Sequence, residues 1–267
     1  MRAHASSAEN VRPQVSLWAS WLCLVIAVVV LGNGWLIRAQ KISEWRVYRA
    51  ADGLTELLTT AVTISPRGNV WVKHGEVDAV SYLDGYNVHH IPVPSEPNYR
   101  VYQSAAGRIW SIYAEGLLEY VDSHWQRYPI KELRWEVGTS PTRAIRPTPI
   151  LPAEEDRVLL LLPDRFAEFR ARTSELKVLR HASETSLGTF LDMTLAQDGG
   201  IWIAGAQGIA KVPGRIRQIN RDTKWREYVL PPDFAVRNLL RPFDDDDGGV
   251  TVVADDPSVN KRVLVHF

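Results

Sequence analysis

One short motif, Gly-x-(Val/Ile)-Trp, occurs at Gly68-Asn69-Val70-Trp71, at Gly107-Arg108-Ile109-Trp110 and at Gly199-Gly200-Ile201-Trp202. A degenerate copy is Gly248-Gly249-Val250-Thr251, and a weaker one is Asp156-Arg157-Val158-Leu159. The last residues of the five copies are separated by 39, 49, 43 and 49 positions. A period of this length is typical of a β-propeller in which each repeat builds one four-stranded blade.

A second motif, Trp-x-x-Tyr, alternates with the first. It occurs at 45–48, 125–128 and 225–228, and Tyr86-Asn87-Val88-His89 and Leu176-Lys177-Val178-Leu179 occupy the two gaps. The copies precede their Gly-x-(Val/Ile)-Trp partners by 26, 24, 34, 26 and 26 residues, and the long third offset contains a proline-rich insertion over residues 140–152. Short runs rich in Val, Ile, Trp and Tyr between Gly, Pro and Asp turns are typical of antiparallel strands. The sequence therefore predicts an all-β propeller with five four-stranded blades.

The fifth unit ends one strand short of a full blade. It supplies Ala235–Leu240, Gly249–Ala254 and Lys261–Phe267, whereas the repeat region opens with a spare outer strand, Glu44–Arg49. Closing a ring of blades removes exposed sheet edges. We therefore expect Glu44–Arg49 to pair beside Lys261–Phe267 and close a propeller domain that spans residues 44–267.

An apolar segment precedes the repeats. Leu17–Ile37 carries no formal charge over 21 residues, and about 20 apolar residues are enough to cross a bilayer. This predicts a transmembrane helix or signal anchor over residues 17–37 after a cytoplasmic tail, residues 1–16. A signal peptide cleaved near Ala39 is the alternative. Both interpretations place the propeller outside the cytoplasm, in the periplasm or extracellular space, either as a single-pass membrane protein or as a secreted one.

The composition and the motifs exclude several classes of function. Lys plus Arg and Asp plus Glu both number 31, so the chain lacks the basic excess of a nucleic-acid-binding protein. No Gly-x-Ser-x-Gly elbow, His-Glu-x-x-His motif or phosphate-binding glycine loop occurs in the sequence.

The run Asp244–Asp247 lacks the third alternate carboxylate of a calcium loop, because Gly248 holds that position. The one cysteine, Cys23, lies in the apolar segment, so the exported part cannot form a disulfide bond. We therefore predict no catalytic residues, no metal and no cofactor.

The repeat residues resemble a known family. The first unit contains Trp45-Arg46-Val47-Tyr48, Asp52-Gly53-Leu54, Val62-Thr63-Ile64, Gly68–Trp71 and Leu83-Asp84-Gly85-Tyr86. In that order these residues are similar to the two-component regulator propeller repeat, and the fourth unit matches nearly as well. The resemblance covers roughly residues 45–267. It implies an extracytoplasmic sensor of membrane histidine kinases and hybrid regulators. This chain differs from the family in its few repeats and in the absence of a kinase or receiver segment.

The repeated tryptophans are predicted to be structural. A residue that recurs at one place in every blade packs the contact between neighbouring blades, and an aromatic side chain buries about 150–250 Å² there. We therefore expect the second-strand tryptophans to lie in the core and those of the outer strands to pack less completely. The two sets are Trp71, Trp110 and Trp202, and Trp45, Trp125 and Trp225.

Ligand-binding residues are expected on the loops that join the second strand of each blade to the third. In a propeller these loops share one side with the links between blades, and loops on a rigid scaffold are where binding residues gather. The candidate residues are Lys73, His74, Glu76, Tyr113, Glu115, Gln207 and Asp52.

The function that these features predict is a membrane-tethered extracytoplasmic module for ligand sensing or protein interaction. Its expected partners are a membrane histidine kinase or another signalling protein, and a carbohydrate-like small ligand. Two alternatives remain. One is a propeller-fold enzyme, a lyase or a glycoside-cleaving enzyme, which would need carboxylates about 5–9 Å apart over a pocket. The other is a truncated remnant of a larger sensor kinase.

Overall fold

The structure is a computed structural model, and it describes residues 47–267 except residues 57, 78, 93–99, 114, 134–147 and 246–247. The predictions for residues 1–16, residues 17–37 and Trp45 lie outside the described residues. Among the residues that are described, no helix is long and apolar enough to cross a membrane.

Five antiparallel sheets follow one another along the chain and form the five blades of a propeller. The first blade contains β1 (Thr59–Ile64), β2 (Val70–His74), β3 (Ala79–Leu83) and β4 (Val88–Pro92). The second contains β5 (Val101–Gln103), β6 (Ile109–Tyr113), β7 (Gly116–Val121) and β8 (His124–Pro129). The third contains β9 (Ile150–Pro152), β10 (Arg157–Leu162), β11 (Arg165–Arg170) and β12 (Glu175–His181). The fourth contains β13 (Phe190–Leu195), β14 (Ile201–Gly205), β15 (Gly208–Val212) and β16 (Arg226–Val229). The fifth contains β17 (Arg237–Asp244), β18 (Val250–Asp256) and β19 (Lys261–His266). Single 3-10 turns lie at Ala50–Asp52, Ala182–Glu184 and Ile216–Gln218.

Apolar clusters between successive blades hold the propeller together. Trp71 packs between the first and second blades, Trp110 between the second and third, and Trp202 between the fourth and fifth; all three are buried. Leu159 occupies the equivalent position between the third and fourth blades. The recurring motif therefore marks the contact of each blade with the next one, because its last side chain fills that contact.

In two blades the strand that carries the Trp-x-x-Tyr motif lies very close to a glycine of the neighbouring strand. A Cβ atom on Gly116 would lie 2.0 Å from the Tyr128 carbonyl oxygen, and one on Gly208 would lie 2.4 Å from the Tyr228 carbonyl oxygen. Only a residue without a side chain allows the two backbones to approach this closely. The third strand of each of these blades therefore begins with glycine.

The fifth blade differs from the prediction. Its strand order is β17-β18-β19, and β19 pairs with β18 alone among the described strands. Residues 47–49 of the predicted closing strand lie outside any strand, and residues 44–46 lie outside the described part of the chain. The predicted pairing of Glu44–Arg49 beside β19 is thus not found over its described residues. The four apolar clusters join blades that are consecutive in sequence, and over the described ranges none joins the fifth blade to the first.

Candidate functional site

The antiparallel blades give the propeller two distinct faces. Turns between the first and second strands of each blade, such as 65–69 and 104–108, lie on one side, which we call the 1–2 face. Turns between the second and third strands, such as 75–77 and 206–207, lie on the opposite side, the 2–3 face. Every ligand-binding residue predicted from the sequence belongs to the 2–3 face or to the link that enters the first blade.

Two of the predicted ligand-binding residues are buried inside the blades. The His74 ring is fully buried, and its Nε2 lies 2.6 Å from Ser81 Oγ. Burial lowers the pKa of His74, although the nearby Glu56 opposes that shift. Tyr113 is buried in the cluster between the second and third blades, with the Arg127 guanidinium 5.5 Å from its ring centre. Both side chains therefore support packing within the fold.

The other predicted residues are at least partly accessible. Glu76, Glu115 and Gln207 are exposed at the ends of second strands or in the turns that follow. Lys73 is half-buried, and its Nζ donates to the His74 carbonyl oxygen over 3.4 Å. Asp52 accepts a 2.8 Å hydrogen bond from the Arg49 backbone N–H at the first 3-10 turn. A binding role for this set stays a prediction.

Trp125 and Trp225 are the outer-strand tryptophans that lie in the described part of the chain. Both are partly buried, and each contacts a carbonyl group or a cation. Trp125 packs 5.1 Å from the Tyr120 ring, and its Nε1 donates to the Pro92 carbonyl oxygen of the first blade. The Trp225 ring lies beneath the Arg180 guanidinium at 4.9 Å. These indoles therefore tie each outer strand to a neighbouring blade or strand.

A cavity of about 340 Å³ opens on the 1–2 face, over the inner strands of four blades. Its deeper wall consists of side chains from the inner strands, and its rim consists of the 1–2 turns and the loop after β15. The lining includes Thr63, Ile64, Tyr102, Gln103, Leu151, Glu154, Leu195, Gln197, Asp198, Arg215 and Arg217. We call this the axial cavity. A wider depression of about 460 Å³ lies on the 2–3 face of the fifth blade, and its lining is polar and charged.

The inner strands bring one phenol and one carboxylate into a shielded environment. Burial raises the pKa of Tyr102 to about 12, against an opposing effect of Arg100. Burial also raises the pKa of Asp192, although its carboxylate accepts backbone hydrogen bonds from Met193 at 2.9 Å and Arg241 at 3.1 Å. Tyr102, which is one of the residues that line the axial cavity, therefore carries a neutral phenol at physiological pH.

Charges of both signs stand at the rim of the axial cavity. Arg217 Nη1 lies 3.4 Å from Glu154 Oε2, and Lys211 Nζ lies 2.9 Å from Asp198 Oδ1. Burial disfavours the ionised form of Asp198, but hydrogen bonds from Lys211 and the Gly200 backbone hold its pKa below the usual value. The rim is thus polar and nearly balanced in charge, and the floor formed by Tyr102, Leu151 and Leu195 is mostly apolar.

A buried arginine fixes one wall of the axial cavity. Arg157 pairs with Glu168 over 2.7 Å, and it donates to the carbonyl oxygens of Ile216 at 3.1 Å, Arg217 at 3.0 Å and Ile219. Burial lowers the pKa of Arg157, and the charge of Glu168 opposes that effect. The third blade thereby holds the loop 215–219 of the fourth blade in place.

The axial cavity was not among the sites predicted from the sequence. Its lining residues are far apart in the chain and are brought together only by the arrangement of the blades. The one available signal was the turn that opens each Gly-x-(Val/Ile)-Trp motif, because those turns form the rim. No group of histidine, cysteine, aspartate or glutamate in the described ranges could hold a metal ion. The cavity can therefore bind a ligand through an aromatic ring, amides and paired charges.

No family model matches the chain, and no curated protein matches it. Among solved structures, a streptogramin B lyase is 17% identical, with a TM-score of 0.49 over 80% of this chain and 70% of that one. Virginiamycin B lyase from Staphylococcus aureus is 12% identical, with a TM-score of 0.46 over 76% of this chain and 68% of that one. The extracellular domain of a hybrid two-component system from B. thetaiotaomicron is 12% identical, with a TM-score of 0.48 over 83% of this chain and 30% of that one.

Proposed function

We propose that the chain is a sensor or interaction module that binds a small ligand in the axial cavity. The observation that carries this proposal is the position of the cavity, which is lined by side chains from four blades. Ligand pockets are concave, mostly preformed and about 300–1,000 Å³ in volume, and the axial cavity of about 340 Å³ falls within that range. A ligand bound there touches four blades at once, so its binding favours one arrangement of them.

The chemistry of the lining favours a neutral ligand rich in hydroxyl groups, such as a mono- or disaccharide. The Tyr102 ring offers a flat surface, and Gln103 and Gln197 offer amides. The rim pair Glu154–Arg217 supplies an acceptor and donors in one place. The two carboxylates of the lining already have counter-ions, Glu154 with Arg217 and Asp198 with Lys211, so they do not favour a strongly cationic ligand.

The setting of the module follows from the sequence. We propose that residues 17–37 tether the propeller to a membrane and that it lies outside the cytoplasm. The support is the uncharged 21-residue segment and the resemblance to sensor ectodomains. On this proposal the partner is a membrane histidine kinase or another signalling protein.

One observation favours the enzyme alternative. Asp192 lies on an inner strand and has a raised pKa, as a general acid would. Its oxygens, however, accept backbone hydrogen bonds from Met193 and Arg241. Asp192 is not among the residues that line the cavity, and the two carboxylates that do line it, Glu154 and Asp198, pair with Arg217 at 3.4 Å and Lys211 at 2.9 Å. Binding without turnover is therefore the function that the geometry supports best.

A thermal-shift experiment on the full chain tests the proposed ligand class. Neutral mono- and disaccharides are added singly, with zwitterionic amino acids as the comparison set. A ligand present at 100 times its Kd stabilises the fold by about 2.7 kcal/mol, which corresponds to about 5–11 °C for a domain of this size. No shift with any saccharide would contradict the proposed ligand class.

Matched variants locate the binding site. Tyr102→Ala removes the aromatic wall of the cavity and should abolish the shift, whereas Tyr86→Ala removes an exposed ring from a 3–4 turn of the same face and should leave it intact. Charge reversal of Lys73 and Glu115 together tests the 2–3 face that the sequence predicted. Loss of the shift in that double variant, with Tyr102→Ala unaffected, would move the site to the 2–3 face.

A further inference from the structure

In the described part of the chain, two apolar blade faces have no other blade packed on them. Strand register makes positions in different blades equivalent, because the motif residues Trp71, Trp110, Leu159, Trp202 and Thr251 pair with corresponding residues on their flanking strands. Residues at the same register position in different blades can therefore be compared. The exposed fraction of each such side chain shows whether another blade covers it.

The first blade is uncovered on the side where a preceding blade would pack. Val62 on β1 is 54% exposed. The equivalent residues of the next three blades, Val101, Ile150 and Met193, are only 2%, 1% and 4% exposed because a preceding blade packs on each of them. Ile64, two residues further along β1, is also exposed.

The fifth blade is uncovered on the side where a following blade would pack. Leu264 on β19 pairs with Val253 and is 70% exposed. In each of the other four blades, the residue equivalent to Leu264 is the one that pairs with the second position after the motif residue. These four residues are fully buried: Val80, Leu117, Phe166 and Ile209. Phe243 on β17 is exposed on the same side. The motif tryptophan is replaced here by Thr251, so this face has a smaller side chain at its centre.

We propose that these two faces bind each other between copies of the chain, the fifth blade of one copy on the first blade of the next. The occupant is a second copy because each chain carries both halves of one blade contact: the Val62 face and the Leu264 face. The residues of these two faces occupy the same register positions as the residues in the four blade-to-blade contacts that are buried within the chain. Among the described strands β19 pairs with β18 alone, so the Leu264 face lies beside a sheet edge that an extended segment of the second copy can meet.

The symmetry of this contact determines how it assembles. The two surfaces are different, so the contact is head-to-tail, and a head-to-tail contact leaves one free face at each end of the assembly. Unless the rotation closes a ring, further copies add to those ends. We therefore expect a concentration-dependent series of dimers and larger species. This inference goes beyond ligand binding, because Val62 and Leu264 do not line the axial cavity, although Ile64 beside Val62 does.

Sedimentation of the full chain in a mild detergent tests the proposal. Leu264→Glu and Val62→Glu should each abolish the larger species, since each variant loses one half of the contact. Val259→Glu is the matched control, because Val259, which is 54% exposed as Val62 is, lies in the β18–β19 turn of the fifth blade, away from this face. The control should assemble as the unmodified chain does.

Mixing the two variants provides the decisive readout. Leu264→Glu retains an intact first-blade face and Val62→Glu retains an intact fifth-blade face, so an equimolar mixture should form dimers that neither variant forms alone. A monomeric unmodified chain at every concentration, or a mixture that stays monomeric, overturns the proposal.

A cysteine pair separates assembly from closure within one chain. In a Cys23→Ser background, Val62→Cys combined with Leu264→Cys should give disulfide-linked dimers and longer species on oxidation. A disulfide within a single chain would show that the first and fifth blades of one copy close the ring, and this result also overturns the proposal.

Discussion

Replacement of Arg157 by methionine is expected to destabilise the propeller and to loosen the wall of the axial cavity. The guanidinium pairs with Glu168 at 2.7 Å and donates to three carbonyl oxygens of the loop 215–219. Both side chains of the pair are less than 10% exposed. Methionine preserves most of the side-chain volume but removes the donor to the three carbonyl groups, and it leaves the Glu168 carboxylate with only the more distant Arg170, whose Nε lies 3.6 Å from Oε1.

The expected magnitude follows from the burial of the pair. Removing one partner of a buried ion pair costs about 3–5 kcal/mol, because an uncompensated charge stays in the protein. For a domain of 150–250 residues, each kcal/mol lowers Tm by about 2–4 °C, so Arg157→Met should lower Tm by about 6–20 °C. The loss should also weaken any ligand that binds in the axial cavity, since Arg215 and Arg217 line it.

Denaturant unfolding followed by tryptophan fluorescence measures the loss. Arg165→Met is the matched control, because Arg165 forms a more exposed pair with Asp164 at 2.5 Å and such pairs contribute about 0–1 kcal/mol. Equal destabilisation by the two substitutions, or a loss below about 1 kcal/mol for Arg157→Met, would refute the role assigned to this arginine.

Three further predictions concern the blades themselves. Trp110→Ala should lower the free energy of unfolding by about 3–5 kcal/mol in denaturant titrations, because the indole is fully buried between two blades; a loss below about 1 kcal/mol would argue against that packing. The lowered pKa of His74 means that the unfolded chain binds more protons than the folded one below the reference value of 6.5, so stability should fall as the pH drops through that value. His74→Leu should flatten the pH dependence of Tm. Gly116→Ala should destabilise the second blade, because its Cβ would lie 2.0 Å from the Tyr128 carbonyl oxygen; an unchanged Tm would show that β8 can move at no cost.

The blade architecture could be predicted from the sequence because each blade carries its own local signals. The motif around Trp71 marks a second strand, and the run Trp125–Tyr128 marks an outer strand that packs over a glycine. These signals depend on strand periodicity and turn chemistry, which act over a few residues. The first-to-fifth contact was harder to predict, since closure depends on the curvature summed over all blades. The motif tryptophan is replaced by Thr251 in the fifth blade, whose last face is not packed by another blade in the described part of the chain.

The candidate site could be predicted only in part. The sequence placed binding residues on the 2–3 face, and two of them, His74 and Tyr113, lie buried in the structure. The sequence does not show which residues at the ends of strands are covered by other segments of the chain. The axial cavity combines Tyr102 with Leu151 and Leu195, which are close only because their inner strands lie side by side around the axis.

Hydrogen–deuterium exchange of the full chain, with and without the saccharide that gives the largest thermal shift, tests the proposed binding site most directly. Ligand bound in the axial cavity should slow exchange in residues 102–105, 151–154 and 195–199, which line it, and leave the turns of the 2–3 face unchanged. Protection confined to residues 73–77 and 206–208 on the 2–3 face would contradict a site in the axial cavity.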